Sequence, residues 1–470
     1  MAEAAGVKKF LDAADEVASS LKSYIDGGER ARIITHTDAD GIASGSILAE
    51  CLRTYDVVFH ISFSRPLGSD EISELADQDY DLLIFLDQGS GQVHYIQEHL
   101  LNADLKVVIL DHHPGDFSER TGLVHLNPNA YDLNGSRDVS ASGVVYSVVK
   151  RIDEKFESLS ELSIIGALGD RQGFPSGFSG INKKIVNHAS DLGVIEVKEG
   201  LKLIGRNFSL VDCLSSSIKP YLLGLSGNRE RCRELVEDLD FDADTTLDEL
   251  GPKDEEKLRD AITERIKVTP DENFYHALWG VIYISLTKKI VEPKSLNECA
   301  TILDACGKLK KPGVGFGFLL GDESSRKEVR GIFDNYQRQM IKVLEWMSSN
   351  KADFKTTPNM RYIYTEDRVG QKMIGEALSI GAESGLIELD RPVLGLADSG
   401  TDWLKVSARA PHPSRKGGPH IGNVLGEVSR KLGGHGGGHD VAAAARLPRE
   451  RMDEFISEVD RAFGEQTSST

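Results

Sequence analysis

The stretch Ile33-Ile34-Thr35-His36-Thr37-Asp38-Ala39-Asp40-Gly41-Ile42-Ala43-Ser44-Gly45 decides the fold. Its apolar opening, Ile33-Ile34, reads as the end of a buried strand. A polar loop follows with His36, Asp38 and Asp40, and from Ile42 through Ile47, Leu48 and Cys51 the pattern turns helical. A strand that hands over to a helix through a polar loop marks the carboxyl edge of an open α/β sheet, where such sheets place their sites. Alternate positions of an extended loop point to one side, so one imidazole and two carboxylates should converge. The loop holds no Lys or Arg to neutralise the acids, and adjacent like charges repel. Asp40 as the N-cap of the helix that follows accounts for one Asp. A divalent metal accounts for all three residues.

Outward from this stretch, residues 31–126 alternate strand and helix. Strands are expected at 32–35, 57–63, 81–86, 106–110 and 124–126, with helices near 42–54, 70–78 and 91–102. Continuous apolar strands separated by helices predict a parallel sheet covered on both faces. The strand ends repeat the first pattern. Leu86 is followed by Asp87, and Leu110 by Asp111-His112-His113-Pro114-Gly115. The apolar segment 162–168, read with the strands, runs into Gly169-Asp170. One Asp in such a place is ordinarily a cap or turn residue. Four segments that bring ligand-type residues to one edge argue for a metal site. Ser140-Ala141-Ser142-Gly143 opens an apolar helix and reads best as an N-cap, with approach to a phosphate as the alternative.

The 470 residues exceed what one core organises, so two or three domains are expected. Residues 226–350 are charged and helix-patterned with one strand-like interruption at 280–286, and they carry no catalytic constellation. They read as an insertion, a connecting domain or a partner surface. Residues 351–470 form a second α/β unit, with strands expected at 361–364, 392–396 and 403–408 and helices at 372–383, 421–432 and 450–463. The net charge of −19 argues against a generally polyanion-binding surface, which makes the position of the basic residues decisive. From Lys405 to Arg446 the chain carries Lys405, Arg409, Arg415, Lys416, Arg430, Lys431 and Arg446 against Glu427 and Asp440. His412, His420, His435 and His439 lie among them. Residues 433–438, glycine but for His435, read as a flexible loop entering a small-residue helix start at 440–445. Glycines let backbone N–H groups approach a phosphate.

No apolar run approaches the roughly 18 residues of a membrane span. The first 25 residues pattern as an amphipathic helix without the apolar centre of a signal peptide. The five cysteines are odd in number and lack metal-type spacing, which suits reduced thiols in the cytoplasm.

The set His36-x-Asp38-x-Asp40-Gly41, Asp87, Asp111-His112-His113 and Gly169-Asp170 resembles the four motifs of the DHH phosphoesterase superfamily. Gly436-Gly437-Gly438-His439 followed by Ala442-Ala443 resembles the hallmark of the DHH-associated domain. In this order, with a helical insertion between, the motifs are similar to those of RecJ-like exonucleases, in particular the archaeal branch that includes the GINS-associated nuclease. The resemblance implies a parallel-sheet DHH domain at 1–225, a mainly helical insertion at 226–350 and a smaller α/β DHH-associated domain that binds nucleic acid at 351–470. It further implies two metal ions, usually manganese, with magnesium the alternative. His36 and Asp38 would hold one ion and Asp40, His112 and Asp170 the other, with Asp87 bridging and His113 facing the substrate phosphate. Arg409 and His439 match phosphate-gripping positions, flanked by Gly437 and Gly438. Two departures stand out. Ala444 occupies a position where many relatives have Gly, and the duplicated Gly433-Gly434-His435 offers His435 as a second candidate for the role of His439.

The expected activity is two-metal hydrolysis that removes nucleotides from single-stranded DNA or RNA, in DNA replication or repair. A phosphodiesterase of short oligoribonucleotides or cyclic dinucleotides is the enzymatic alternative. A replisome scaffold is the non-enzymatic one. The partners implied are the single strand and the GINS complex or other replisome proteins, with no membrane.

Overall fold

Five short apolar segments build the first sheet: β1 (Ala31–Thr35), β2 (Phe59–Phe63), β3 (Leu82–Leu86), β4 (Lys106–Leu110) and β5 (Leu123–Leu126). They pair in the order β2-β1-β3-β4-β5, and every pairing is parallel. β1 and β3 are buried along their whole length, as continuous apolar strands covered on both faces should be. On one face Ile34, Phe85, Val107 and Ile109 pack with Ile72 and Leu75 of the helix Ser69–Ala76 and with Val93 and Ile96 of the helix Val93–His99. β2 lies on one side of β1 and the later strands on the other, so the chain switches direction between β1 and β3. The crevice beyond the carboxyl ends of those two strands is the topological switch point. His36 and Asp87 are the first residues past them.

The computed structural model describes residues 2–174, 177–266, 272–287, 292–400, 402–411, 420–438 and 440–468. Two compact units emerge, Met1–Gly205 with Gly280–Tyr336, and Arg206–Trp279 with Gln337–Thr470. Residues 226–350, expected as a connecting domain, fall partly in each. In the first unit the helices Ala39–Thr54, Ala141–Ile152 and Ser160–Gly169 pack on one another, and the helix Leu296–Lys308 packs on the first and third of these. β6 (Ile195–Leu201) and β7 (Trp279–Ser285) form a separate two-stranded sheet. Among the described residues no helix is long and apolar enough to cross a membrane.

In the second unit β8 (Lys355–Thr356), β9 (Arg361–Tyr364), β10 (Val393–Asp398), β11 (Trp403–Arg409), β12 (His435–Gly438) and β13 (Ala442–Pro448) form a mixed sheet in the order β12-β13-β11-β10-β9-β8. Only β9 and β10 run parallel. One face is apolar: Leu394, Leu396, Leu404, Val406, Ala443, Ala445 and Leu447 pack against the helices Ile421–Lys431 and Met452–Ser468.

Three expectations are corrected. Residues 440–445 do not start a helix: from Ala442 they form β13, whose buried positions alternate with period two. Alanine carries no side-chain signal that separates the two periods, so the run misleads. Residues 162–168 lie in the helix Ser160–Gly169, buried on almost every side. An apolar run that short cannot be assigned by period alone. Finally, the loop after β1 is not extended as far as Asp40. The helix starts at Ala39 with Asp38, not Asp40, as its N-cap, which places Asp40 in the first turn and turns the two acids toward different neighbours.

Candidate metal centre

The loop after β1 builds the first half of the site. Asp38 Oδ1 accepts from the Gly41 N–H at 3.1 Å, and Asp38 Oδ2 lies 2.6 Å from His36 Nδ1. His36 Nδ1 is also 3.6 Å from Asp87 Oδ2. Asp87 follows β3 with a left-handed φ of 56°, a conformation that Asp adopts more readily than bulky residues and that recurs at functional sites. Each of His36, Asp38 and Asp87 offers a ligand atom within 4.8 Å of the others.

The second half is assembled from β4 and three helices. Asp40 is wholly buried, and its two oxygens accept from the backbone N–H groups of Ala141 (2.7 Å) and Ser142 (3.0 Å). The helix Ala141–Ile152, capped by Ser140, thus turns its N-terminus on a side-chain carboxylate, which explains a buried anion there. His112 lies between this Asp and two more: its Nε2 is 3.2 Å from Asp170 Oδ2, 3.3 Å from Asp87 Oδ1 and 4.0 Å from Asp40 Oδ2. Asp40, His112 and Asp170 form a second ligand-type group.

His112 and His113 differ in role although adjacent. The His112 side chain is 7% exposed, against 43% for His113. His112 Nδ1 sits 2.6 Å from the Gly135 carbonyl, which can only accept, so that nitrogen carries the proton. In the neutral ring Nε2 then presents a lone pair to three carboxylates. His113 Nδ1 pairs instead with Asp111 Oδ1 at 2.9 Å. Asp111 also accepts from the His112 and His113 backbone N–H groups and, through Oδ2, from that of Ser90. It therefore orients the pair, and its carboxyl is held well below the usual range: burial opposes this, but His113, His112 and Ser90 together outweigh it.

The electrostatics show what is missing. Asp87 is pushed well above the carboxylate range, by burial first and then by the charges of Asp38, Asp40 and Asp170. Burial, and next Asp40, raises Asp170 to about 7. Burial opposes protonation of His36, but Asp38, Asp87 and Asp170 raise it to about 10. Both Asp87 oxygens and His112 Nε2 are buried without a hydrogen-bond partner. Orphaned acceptors and ligand-type nitrogens of this kind fit divalent cations, which would satisfy all of them at once. The residues present therefore suit a metal centre.

The structure brings His36, Asp38, Asp40, Asp87, His112, His113 and Asp170 together. Arg409, His435, Gly437 and Gly438 belong to the second unit, and His439 lies outside the described residues. Arg409 is engaged by the helix Ile374–Glu383: Nε donates to Ser379 Oγ at 2.6 Å and Nη2 to the Gly375 carbonyl at 2.8 Å. His435, Gly437 and Gly438 lie in β12, an edge strand and not a loop.

Several supporting residues escaped the sequence reading. Asn127 and Asn129 donate to the carbonyls of His113 and His112, each at 2.9 Å. They follow β5, so the strand-end pattern could have found them. Gln172 donates to Gly135 O at 2.9 Å and accepts from Asn182 at 2.6 Å, which holds the carbonyl that orients His112. Asp304 accepts from the Ala39 N–H, and no local signal points to it.

Known proteins carry the same organisation. Residues 30–168 match the model of the DHH family, N-terminal domain, and residues 359–465 match the DHHA1 domain. An uncharacterized protein of Methanocaldococcus jannaschii is 31% identical over 441 residues, which cover 93% of each chain. CDC45 from Entamoeba histolytica matches 97% of this chain and 99% of its own, with a TM-score of 0.65 at 12% identity. RecJ from Thermus thermophilus, in complex with Mn2+, matches 96% of this chain with a TM-score of 0.60 at 16% identity. The chain spans 55% of the length of that RecJ. At these identities the two crystal structures speak to the fold alone. With both family models and a relative matched along nearly its whole length, the chain belongs to the DHH superfamily, and it shares its fold with RecJ and CDC45.

Proposed function

We propose that this chain is a divalent-metal-dependent phosphodiesterase that removes nucleotides from an end of single-stranded DNA or RNA. A RecJ-like DHH fold supports a phosphoesterase-type function in general. The observation that carries the specific reading is the pair of buried, unpartnered Asp87 oxygens facing His36 on one side and His112 on the other. His36, Asp38 and Asp87 would hold one cation, and Asp40, His112 and Asp170, again with Asp87, a second. Mixed imidazole and carboxylate donors suit manganese better than magnesium, which prefers oxygen. Such cations supply Lewis acidity toward a phosphoryl oxygen and lower the pKa of water.

The protein's own contribution is orientation. Asp111 fixes His113 through Nδ1, which leaves Nε2 of this half-exposed ring to meet the substrate phosphate or to pass a proton to a leaving oxygen. Arg409, His435, His439, Gly437 and Gly438 are the proposed strand-holding residues. DNA replication or repair in the cytoplasm, with GINS or another replisome protein as partner, is the setting this reading suggests.

The test is digestion of end-labelled single-stranded DNA and RNA, from dinucleotides to long strands, with manganese and with excess chelator. Metal-dependent release of nucleotides from long strands is expected. Cleavage confined to the shortest oligonucleotides or to cyclic dinucleotides would favour the small-substrate enzyme. Absence of any cleavage would favour a scaffold.

A further inference from the structure

The sheet of the second unit has two unlike faces. The face opposite its apolar core carries Trp403, Lys405, Ser407 and Arg409 from β11, and Ala442, Ala444, Arg446 and Pro448 from β13. β12 adds His435 opposite Arg446 and Gly437 opposite Ala444. Directly opposed residues project to the same side, so Lys405, Arg446 and His435 form one row across three strands. The helix Ile374–Glu383 covers the Arg409 end of this face, against Gly395 and Ser407. The β12–β13 end is different. His435 is exposed, and a Cβ added at Gly437 would meet nothing within 4 Å.

Two features of that end point to a ligand. Lys405 and Arg446 stand directly opposite each other, and like charges so placed destabilise a sheet. The Arg446 guanidinium lies 5.1 Å from the centre of the Trp403 ring, while its buried Nε has no hydrogen-bond partner. A cation, a planar indole and a floor of Gly437, Ala442 and Ala444 make a surface for a flat, anionic-backed ligand. The four residue steps from Lys405 to Arg409 span about 13 Å along the strand, enough to reach more than one phosphate.

We propose that Trp403 and Arg446 form a nucleobase-stacking site, with Lys405 and His435 holding the adjoining phosphates of the same single strand. The inference rests on the nucleic-acid reading given above and names the chemistry by which the second unit engages the strand: it reads base planes as well as backbone charge.

The experiment measures binding by the full chain in chelator, which prevents hydrolysis, of an oligothymidylate and of an abasic oligonucleotide of equal length. Trp403→Ala should weaken oligothymidylate binding between about fivefold and 100-fold, the range of one lost base stack, and leave abasic binding unchanged. Trp403→Phe should retain most of the preference for bases. The oligothymidylate-dependent change in tryptophan fluorescence should vanish in Trp403→Phe, although Trp279 and Trp346 remain. Equal weakening toward both ligands by Trp403→Phe, or no effect of Trp403→Ala on either, would overturn the site. The two readings fail separately. Base-dependent binding without cleavage in manganese would sink the nuclease and spare this site, and cleavage indifferent to Trp403 would do the reverse.

Discussion

Asp304 Oδ1 accepts a hydrogen bond from the backbone N–H of Ala39 at 3.1 Å, across 265 residues of sequence. Ala39 is the first residue of the helix that Asp38 caps, so this bond holds the loop that carries His36, Asp38 and Asp40. Three residues on from Asp304, a Cβ at Gly307 would lie 1.9 Å from the Thr37 carbonyl. The segment with no catalytic pattern of its own thus clamps the first half of the candidate metal centre.

Asp304→Ala should leave the fold intact, cost about 1 kcal/mol of stability for the lost acceptor, and lower manganese affinity several-fold. Thermal unfolding in chelator and calorimetric metal titration measure the two effects. An affinity equal to that of the wild type would show that the clamp does not bear on the metal. Gly307→Ala should be more damaging, because backbone must move to admit the methyl group.

Asp87→Asn should abolish turnover and remove the thermal stabilisation that manganese gives the wild type, since ligand binding stabilises a fold only through its affinity. The metal-free variant should melt at the same temperature as the metal-free wild type or higher, because Asn removes the cost of keeping this buried, repelled carboxyl neutral at pH 7. A variant that still gained stability from manganese as the wild type does would refute the central role of Asp87.

His125 bears on stability below neutrality. Its Nε2 lies 2.9 Å from Ser90 Oγ, its Nδ1 is buried without a partner, and burial lowers its pKa from 6.5 to about 4. The folded state therefore binds fewer protons than the unfolded state between these values. Stability falls as pH drops through 6.5, and the loss is complete below about pH 4, amounting to roughly 3 kcal/mol. His125→Leu should flatten that part of the profile, so that the stability difference between variant and wild type shifts toward the variant from pH 7.5 to pH 4.5 in denaturant melts. A constant difference would show that His125 charges freely in the folded protein.

Arg409→Ala should raise KM for long single strands and reduce the log–log salt slope of binding by about 0.7, the single-strand counterion value for one phosphate. The change also removes hydrogen bonds to Gly375 and Ser379, so melting should fall as well. Ser379→Ala separates the two effects: it loosens the same helix and should leave the salt slope unaltered. A slope indifferent to Arg409 would confine this residue to holding the helix.

The acids and imidazoles past β1, β3 and β4 were legible because a strand-to-helix handover is a local event. Ile33-Ile34, Leu86 and Leu110 mark the strand ends, and the next residue names the chemistry. The division of labour between His112 and His113 was not legible from these local patterns. It depends on Gly135, Gln172 and Asp111, which meet the two rings only after the sheet has closed.

The sequence by itself determined the parallel sheet and the residues that crowd its carboxyl edge, since apolar period and polar interruptions lie within a few residues of each other. The tertiary structure alone decided that the amides of Ala141 and Ser142 receive Asp40, that Asp304 reaches Ala39, and that Ala442–Pro448 is a strand with Arg446 on Trp403. Partners separated by tens or hundreds of residues leave no periodic trace, and a run of alanines pairs as readily in a sheet as it winds into a helix until its neighbours bury alternate side chains.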